Sequence, residues 1–310
     1  MNPYDSIQNN NLNVTNIYQD DTSFMVIFHD GYTFRLLMEY IKSTCQSGNI
    51  IFNKTSIVLT ECNEHFTILN DFKINTIDLV NYQYKSSSES YIVAFSMEDL
   101  LPHLKSVTKK KSVKLLKKPN SSIIYIQVLN SYDEVSNKYH ILKPKTIDTR
   151  YLYTPPNIKY NEIPNCVVPL SIFCKDCGEY KDCKYGTVTI RVSSNGIVLT
   201  GNQDGIIDGL VSPYGNYNPN ENEEETQTIE LPDLNNIDIS DISIKNQNTQ
   251  IVHSSIKSNN IIVSLDIIKT FSKFIGISPG GTVKFYKIKN SPLKLVCNIG
   301  TCGILSVYLK

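Results

Sequence analysis

An internal repeat is the feature of this sequence that most limits its fold. Residues 112–126 (SVKLLKKPNSSIIYI) align without gaps to residues 282–296 (TVKFYKIKNSPLKLV). The tetrapeptide IVLT also occurs twice, at 57–60 and at 197–200. Because both the front and the back of two long segments repeat, we predict that the chain consists of two similar halves built on one supersecondary pattern.

Each half combines two amphipathic helices with roughly eight or nine short strands. The first helix is predicted at 31–44, where Phe34, Leu37 and Ile41 recur at helical spacing. Ser96 begins a capping-box pattern for the second helix. Few helices among many strands predict an α+β fold, in which the helices pack on one face of antiparallel sheets.

The periodicity of apolar residues places the individual elements. Helices are predicted at 31–44, 96–107, 170–184 and 264–273. Strands are predicted at 23–29, 49–53, 56–60, 65–69, 90–95, 112–116, 123–129, 139–142, 166–168, 187–192, 196–200, 261–265, 282–289, 293–299 and 304–309.

Composition divides the chain into segments. Residues 1–22 are rich in Asn and Asp and are predicted to form a mobile tail. The four prolines of 143–164 indicate an extended interdomain linker. The two halves are therefore predicted at 23–142 and 165–310, and the second half carries a polar insertion at 233–260.

Charge and cysteine content narrow the classes of function. Thirty basic and thirty acidic residues give zero net charge, which argues against a uniformly basic nucleic-acid binder but allows one basic surface. No apolar run approaches the roughly 20 residues of a membrane helix, and the polar N-terminus lacks a signal-peptide core. We expect an intracellular protein without membrane contact, whose eight cysteines are reduced thiols. Abundant Asn, Ile, Lys and Tyr indicate A+T-rich coding, as in a large DNA virus or an A+T-rich eukaryote.

A zinc site is one alternative for the cysteines. Cys174 and Cys177, with Cys183 and the upstream Cys166, supply suitable donors, but their spacing is not that of two paired zinc knuckles. On a helix, Cys174 and Cys177 share a face, and this suits core packing equally well. We predict core packing and no metal.

Signals of catalysis are weak. Cys62 and His65 form the one close cysteine–histidine pair, and the glycines near Ser278 read as a turn and not as a phosphate-binding loop. The sequence therefore predicts a protein that is not an enzyme and that uses no cofactor.

The order and spacing of residues 31–42, 56–69, 165–201, 260–296 and 303–309 resemble those of the sliding clamps of the proliferating cell nuclear antigen (PCNA) family. Residues 165–201 look like the start of that family's second domain, and 260–296 look like its last helix and following strands. Residues 303–309 are similar to its closing strand, and 31–42 and 56–69 fit its opening helix and hairpin. The resemblance implies two clamp domains of the processivity fold, arranged in a ring.

A clamp needs positive charge facing DNA phosphates without tight base contacts. Arg35 and Lys42 are seven residues apart, and Lys269 and Lys273 are four apart, so each pair shares a helical face. Ordinary solvated lysines are the alternative interpretation. The predicted DNA-facing residues are Arg35, Lys42, Lys105, Lys109, Lys110, Lys175, Lys181, Lys184, Lys269 and Lys273.

The resemblance also implies a pocket beneath the linker that takes apolar anchors of partner peptides. Carried over by position, its residues are Cys62, His65, Phe66, Ile68, Ile158, Pro292 and Tyr308. For Phe66 and Ile68, plain alternation in a strand is the competing interpretation.

Ring closure is implied through strands that pair between subunits. The residues expected at that interface are Tyr139, Ile141, Ile206, Ile207 and Leu210. The resemblance implies a homotrimer with twelve helices around duplex DNA, loaded by a clamp loader and shared by DNA polymerase and other replication or repair proteins. The expected location is the nucleus or a viral replication compartment. The alternative is a clamp-shaped viral transcription or repair cofactor that does not form a closed ring.

Overall fold

The computed structural model describes residues 23–130, 139–145, 152–182, 186–193, 196–202, 211–215 and 260–310. The predicted tail at 1–22 and nearly all of the predicted insertion at 233–260 lie outside these ranges. The helices are α1 (Gly31–Thr44), α2 (Met97–Leu104), α3 (Leu170–Glu179), α4 (Leu265–Phe271) and α5 (Phe274–Ile277). The strands are β1 (Phe24–Phe28), β2 (Ser47–Asn53), β3 (Ser56–Cys62), β4 (Ile68–Asn75), β5 (Asn81–Tyr84), β6 (Ser90–Ser96), β7 (Ser112–Lys117), β8 (Ile124–Leu129), β9 (His140–Leu142), β10 (Cys166–Pro169), β11 (Thr187–Val192), β12 (Gly196–Asn202), β13 (Val211–Gly215), β14 (Asn260–Ser264), β15 (Thr282–Tyr286), β16 (Leu293–Ile299) and β17 (Gly303–Leu309).

Antiparallel sheets carry the fold, as the sequence predicts. The strand orders are β5-β1-β7-β8-β9, β10-β15-β16-β17-β4-β3-β2-β6 and β13-β12-β11-β14. The helices cover these sheets and share one apolar core with them. None of the helices in the described part of the chain combines the length and apolar character that a membrane crossing requires.

The two halves share one topology. The rows β1-β7-β8-β9 and β4-β3-β2-β6 of the first half match β10-β15-β16-β17 and β13-β12-β11-β14 of the second. Asn120 and Asn290 hold the same position in the sequence repeat, and their φ angles are +56° and +60°. Asparagine tolerates this left-handed region better than most residues. The predicted duplication is therefore confirmed down to a shared turn conformation.

One sheet joins the two halves. Strand β17 pairs with β4 in seven residue pairs, from Gly303↔Ile74 to Leu309↔Ile68. The equivalent strands of the opposite halves are β9 and β13. They do not meet in the described chain, because β9 ends the five-stranded sheet and β13 ends the four-stranded sheet.

Helix α1 forms for the reasons that the sequence indicates. The Asp30 carboxylate accepts a hydrogen bond of 3.0 Å from the backbone N–H of Thr33, which caps the helix. Phe34, Leu37 and Ile41 are buried along one face. The predicted amphipathic helix at 31–44 is confirmed in both its bounds and its buried side.

Helix α1 packs against α4 and α5 of the other half. The Tyr40 and Phe274 rings meet edge to face with centroids 4.9 Å apart. A Cβ atom on Gly276 would lie 2.4 Å from Cδ1 of Leu36, so the missing side chain lets α5 approach α1. This contact fixes the position of the second half's helices relative to the first half.

Some predicted bounds are wrong. The strand predicted at 65–69 is a turn followed by β4, which runs to Asn75, and β5 was not predicted. The helix predicted at 264–273 ends at Phe271 as α4, and a short second helix, α5, follows from Phe274. The hydroxyls of Thr270 and Ser272 donate to the carbonyl oxygens of Ile267 and Lys269 at 2.6 and 2.7 Å, and such bonds compete with helix continuation.

Three further elements end earlier than predicted. The helix predicted at 96–107 ends at Leu104, and the strand predicted at 282–289 ends at Tyr286. The helix predicted at 170–184 ends at Glu179, and a 3₁₀ turn follows at Tyr180–Asp182.

Candidate functional site

A strained turn presents Phe66 to solvent. The side-chain oxygen of Asn63 accepts hydrogen bonds from the backbone N–H groups of Thr67 (2.8 Å) and Ile68 (3.1 Å). Phe66, which lies between Asn63 and Thr67 in the turn, has φ +54°, and 60% of it is exposed. A large apolar side chain in this conformation is uncommon, and strained, exposed residues concentrate at functional sites.

The linker lies across this turn. The ring of Tyr153 meets that of Phe66 edge-on, with centroids 6.3 Å apart. A cavity of about 410 Å³ opens beside the two rings and is also lined by Cys62. The linker is further held by Lys145, whose N–H donates to the Ala94 carbonyl oxygen at 2.8 Å.

Further along, Tyr160 fastens the linker to the second half. Its hydroxyl donates a hydrogen bond of 3.0 Å to the carbonyl oxygen of Pro292. The centroids of the Tyr160 and Tyr308 rings are 6.2 Å apart. Residues 152–164 contain no helix or strand, so these contacts hold the segment in place.

Three tyrosine rings surround one ammonium group beneath the linker. The Nζ atom of Lys294 lies 5.4 Å from the ring centroid of Tyr160, 5.5 Å from that of Tyr308 and 5.8 Å from that of Tyr286. These distances suit cation–π attraction. Burial lowers the pKa of Lys294, although nearby Asp71 opposes this, and burial raises the pKa of Tyr308 to about 12.

The seven predicted pocket residues divide into groups. Cys62 and Phe66 line the cavity beside Tyr153, and Pro292 and Tyr308 contact Tyr160. Ile158 borders a second cavity, of about 550 Å³.

The two remaining predicted residues lie elsewhere. His65 is exposed on the turn. Ile68 is 1% exposed and belongs to the apolar core. The competing interpretation of Ile68 as plain alternation is the one that its burial matches.

Sequence reasoning missed three residues of this site, Tyr153, Tyr160 and Lys294. The two tyrosines were visible as aromatic residues in an otherwise polar, proline-rich linker. Lys294 faces Tyr308 because the two are partners in the β16–β17 register. That register was not available from the sequence.

Six of the predicted DNA-facing residues expose their side chains. They are Lys42, Lys105, Lys109, Lys110, Lys175 and Lys181. Lys184 lies outside the described residues. Solvent-exposed ammonium groups on or beside helices are what contact with phosphates requires.

The other three predicted cations have structural contacts. Arg35 pairs with Glu39 at 2.7 Å and donates to the carbonyl oxygens of Lys105 and Val107 at 3.1 and 3.0 Å, just after α2. Lys273 Nζ donates to the Glu39 carbonyl oxygen at 3.1 Å, and burial lowers its pKa.

Lys269 is half-buried, 3.8 Å from Asp266. In contrast, Arg35 connects α1 to the segment after α2, and Lys273, which directly precedes α5, connects α5 to α1.

The predicted subunit interface is described in part. Ile141 is 47% exposed on the terminal strand β9, and the ring of Tyr139 lies 5.0 Å from that of Tyr125. On the same strand, His140 lies beside His103 of α2, with ring centroids 5.1 Å apart. Ile206, Ile207 and Leu210 lie outside the described residues.

The cysteines of α3 are core residues. Cys174 and Cys177 are buried, and the Cys174 thiol donates to the Phe271 carbonyl oxygen at 3.3 Å. Burial raises the pKa of both thiols, that of Cys174 to about 11. Within the described ranges, no three His, Cys, Asp or Glu side chains cluster to hold a metal ion. Cys183 lies outside those ranges.

Comparisons with known proteins agree with this geometry at the level of fold. No protein-family model and no curated protein sequence matches the chain. Among solved structures, PCNA from Entamoeba histolytica is 15% identical with a TM-score of 0.64, covering 93% of this chain and 98% of that one. The PCNA2–PCNA3 complex from Sulfolobus tokodaii matches at 16% identity and a TM-score of 0.63, covering 92% and 98% of the respective chains.

A third structure, A. fulgidus PCNA bound to the C-terminal region of FEN-1, matches at 16% identity with a TM-score of 0.62. It covers 92% of this chain and 97% of that chain. The chain therefore has the fold of the PCNA sliding clamps over most of its length.

Proposed function

We propose that this chain is a DNA polymerase processivity factor, a sliding clamp that closes into a ring around duplex DNA. The observation that carries the proposal is the pair of sheet ends at β9 and β13. These strands are the topological equivalents of β17 and β4, which pair with each other inside the chain. Pairing of β9 with β13 in the same manner requires a second copy of the chain.

A head-to-tail junction of this kind generates a ring when its rotation closes. An open sheet edge also favours pairing, because its backbone N–H and C=O groups have no strand partner. The PCNA fold supports three copies, which together would place six similar halves around a central hole. Helices of every half would line that hole, and the six exposed lysines named above would face the phosphates.

The linker site supports recruitment of other enzymes. It offers the exposed Phe66 ring and the half-buried Tyr153 and Tyr160 rings beside two cavities. We expect it to take an extended protein segment with apolar anchors. The structure of A. fulgidus PCNA bound to the C-terminal region of FEN-1 supports binding of a protein segment by this fold. DNA polymerase and other replication or repair proteins are the expected partners.

A closed ring also needs a clamp loader, because it must open to admit a continuous duplex. The clamp itself would catalyse no reaction and need no cofactor. Its work on DNA would place it in the nucleus or in a viral replication compartment.

The oligomeric mass of the full chain tests the proposal. Light scattering coupled to size exclusion should give three times the chain mass of 35.1 kDa. A stable monomer at micromolar concentration would reject the ring. It would leave the alternative of a clamp-shaped transcription or repair cofactor that does not encircle DNA.

A further inference from the structure

The carboxylate of Glu61 is buried without a cation partner. Glu61 is the last buried residue of β3 and is 5% exposed. Its Oε1 atom accepts hydrogen bonds from the backbone N–H and the side-chain amide of Asn49 at 2.7 and 2.8 Å. Among the described residues, no lysine, arginine or histidine forms an ion pair with it. Burial of an ionised carboxylate costs desolvation free energy, and a nearby cation offsets part of this cost.

Glu61 lines the cavity of about 410 Å³ beside Phe66 and Tyr153. The wall comes from four parts of the chain: the segment after α1, the end of β3 with its turn, the end of β6, and the linker. This size is in the range of small-ligand pockets and is sufficient for one long side chain. Glu61 therefore has an accessible space next to it, and it is not sealed in the core.

The cavity is electronegative. Glu61 and Glu64 both line it, and Cys45 in its wall is the C-cap of the 14-residue helix α1. A helix C-terminus carries about half a negative charge. Lys145 is the one cation among the described residues that line it, and it is exposed.

Two aromatic rings add a second feature that favours a cation. The Phe66 and Tyr153 rings stand edge to face in the lining of the same cavity. Aromatic faces attract ammonium and guanidinium groups, and more strongly when water is excluded. A carboxylate together with an aromatic pair is complementary to the charged head and the apolar stem of a basic side chain.

We propose that this cavity binds a lysine or arginine side chain of a partner protein, with Glu61 as its counter-ion and the Phe66–Tyr153 pair beside it. The inference rests on the proposed recruiting function for the source of the side chain, whereas the cation preference rests on the cavity alone. Tyr153 and Tyr160 are seven residues apart, so their Cα atoms are at most ~25 Å apart. One extended partner segment of about eight residues reaches both positions.

The ionisation of Glu61 makes the proposal measurable. Burial raises the pKa of Glu61 to about 7, although the Asn49 hydrogen bonds oppose the shift. The carboxylate forms as pH rises through this value, so a cation should bind about tenfold more tightly at pH 8 than at pH 6. The thiols of Cys45 and Cys62, which also line the cavity, stay protonated because burial raises their pKa. The other charged residues that line the cavity in the described part of the chain are Glu64 and Lys145.

The test uses N-acetyl-arginine methylamide as the probe and its citrulline analogue as the uncharged control. NMR titration of the full-length protein should show saturable shifts at Gly48 and Asn49 with the arginine compound and much weaker ones with citrulline. Glu61→Gln should weaken arginine binding about tenfold and remove its pH dependence. Glu89→Gln, which removes the same charge from an exposed loop, should change neither.

Three outcomes would overturn the proposal: equal affinity for arginine and citrulline compounds, unchanged arginine affinity in Glu61→Gln, or no saturable binding up to the solubility limit. Thermal unfolding of both variants, measured in parallel, shows that they are folded. Light scattering on the same samples measures the oligomeric mass, which tests ring formation separately. A trimer that does not bind the probe rejects this inference alone, and a monomer that binds it rejects the ring alone.

Discussion

The hydroxyl of Tyr160 donates a hydrogen bond of 3.0 Å to the carbonyl oxygen of Pro292, 132 positions further along the chain. This bond fastens a linker without regular structure to the β15–β16 turn of the second half. The Tyr160 ring also shares the Lys294 ammonium group with Tyr308 and Tyr286. The linker is therefore already positioned for the partner segment that we propose.

Tyr160→Phe should lower the free energy of unfolding by about 0.5–1.5 kcal/mol, because it removes one side-chain hydrogen bond and keeps the ring. Hydrogen exchange of residues 152–162 should become faster. Tyr286→Phe is the matched control, since its ring also faces Lys294 and no hydrogen bond of its hydroxyl is found among the described residues. Equal unfolding free energies for the two variants would show that the Tyr160 hydroxyl does not hold the linker.

Ile141→Lys should convert the proposed trimer into a monomer. Ile141 is exposed on β9, and a charged side chain there opposes burial against a second copy. Mass measured by light scattering should fall to that of one chain while the far-ultraviolet circular dichroism spectrum is unchanged. Ile77→Lys is the control, because Ile77 is 90% exposed on a 3₁₀ turn between β4 and β5. A trimer that persists in Ile141→Lys would remove β9 from the interface.

Charge reversal at Lys42 and Lys175 should weaken DNA retention without unfolding the protein. Both ammonium groups are exposed, one on α1 and one on α3. The slope of log affinity for duplex DNA against log salt should decrease by about one for each lost phosphate contact. Lys54→Glu, in the β2–β3 turn, is the control for each single reversal, since it changes the net charge by the same amount at an exposed site away from the helices. An unchanged slope in the double variant would argue against a DNA-facing role for α1 and α3.

Lys273 is unsuitable for this experiment. Its ammonium group holds the Glu39 carbonyl oxygen, so reversal of its charge should disturb the contact between α1 and α5. Loss of DNA binding in such a variant would report on packing as much as on phosphate contact.

Acidification should lower the free energy of unfolding, because His103 becomes protonated. Burial lowers the pKa of His103, neighbouring His140 lowers it further, and Asp99 opposes both. A histidine with a lowered folded-state pKa stabilises the protein above its unfolded pKa of about 6.5. This contribution is lost as pH falls through the lowered folded-state value.

The measurement is the free energy of unfolding between pH 7.5 and about 5 for wild type and His103→Gln. The difference between wild type and variant should shrink toward low pH. His29→Gln is the control, since His29 is an exposed histidine at the end of β1. A difference that stays constant with pH would exclude His103 as the responsible group.

The sequence by itself determined the duplication and most of the local elements. Helical spacing of Phe34, Leu37 and Ile41 identified α1 and its buried face, because local periodicity alone decides which side of a helix is apolar. The aligned repeats placed Asn120 and Asn290 at equivalent positions. The same alternation did not separate Phe66 from Ile68, since a run of apolar residues does not show where a turn interrupts a strand.

Only the tertiary structure decided which side chains meet. The register of β16 and β17 places Lys294 opposite Tyr308, and the path of the linker brings Tyr160 to Pro292. In the folded chain, some of the predicted DNA-facing residues are exposed lysines, whereas Arg35 and Lys273 make contacts between helices. Folding also places Glu61 beside an electronegative cavity. These outcomes depend on contacts between residues far apart in sequence. Their geometry follows from sheet pairing and helix packing, which local patterns do not encode.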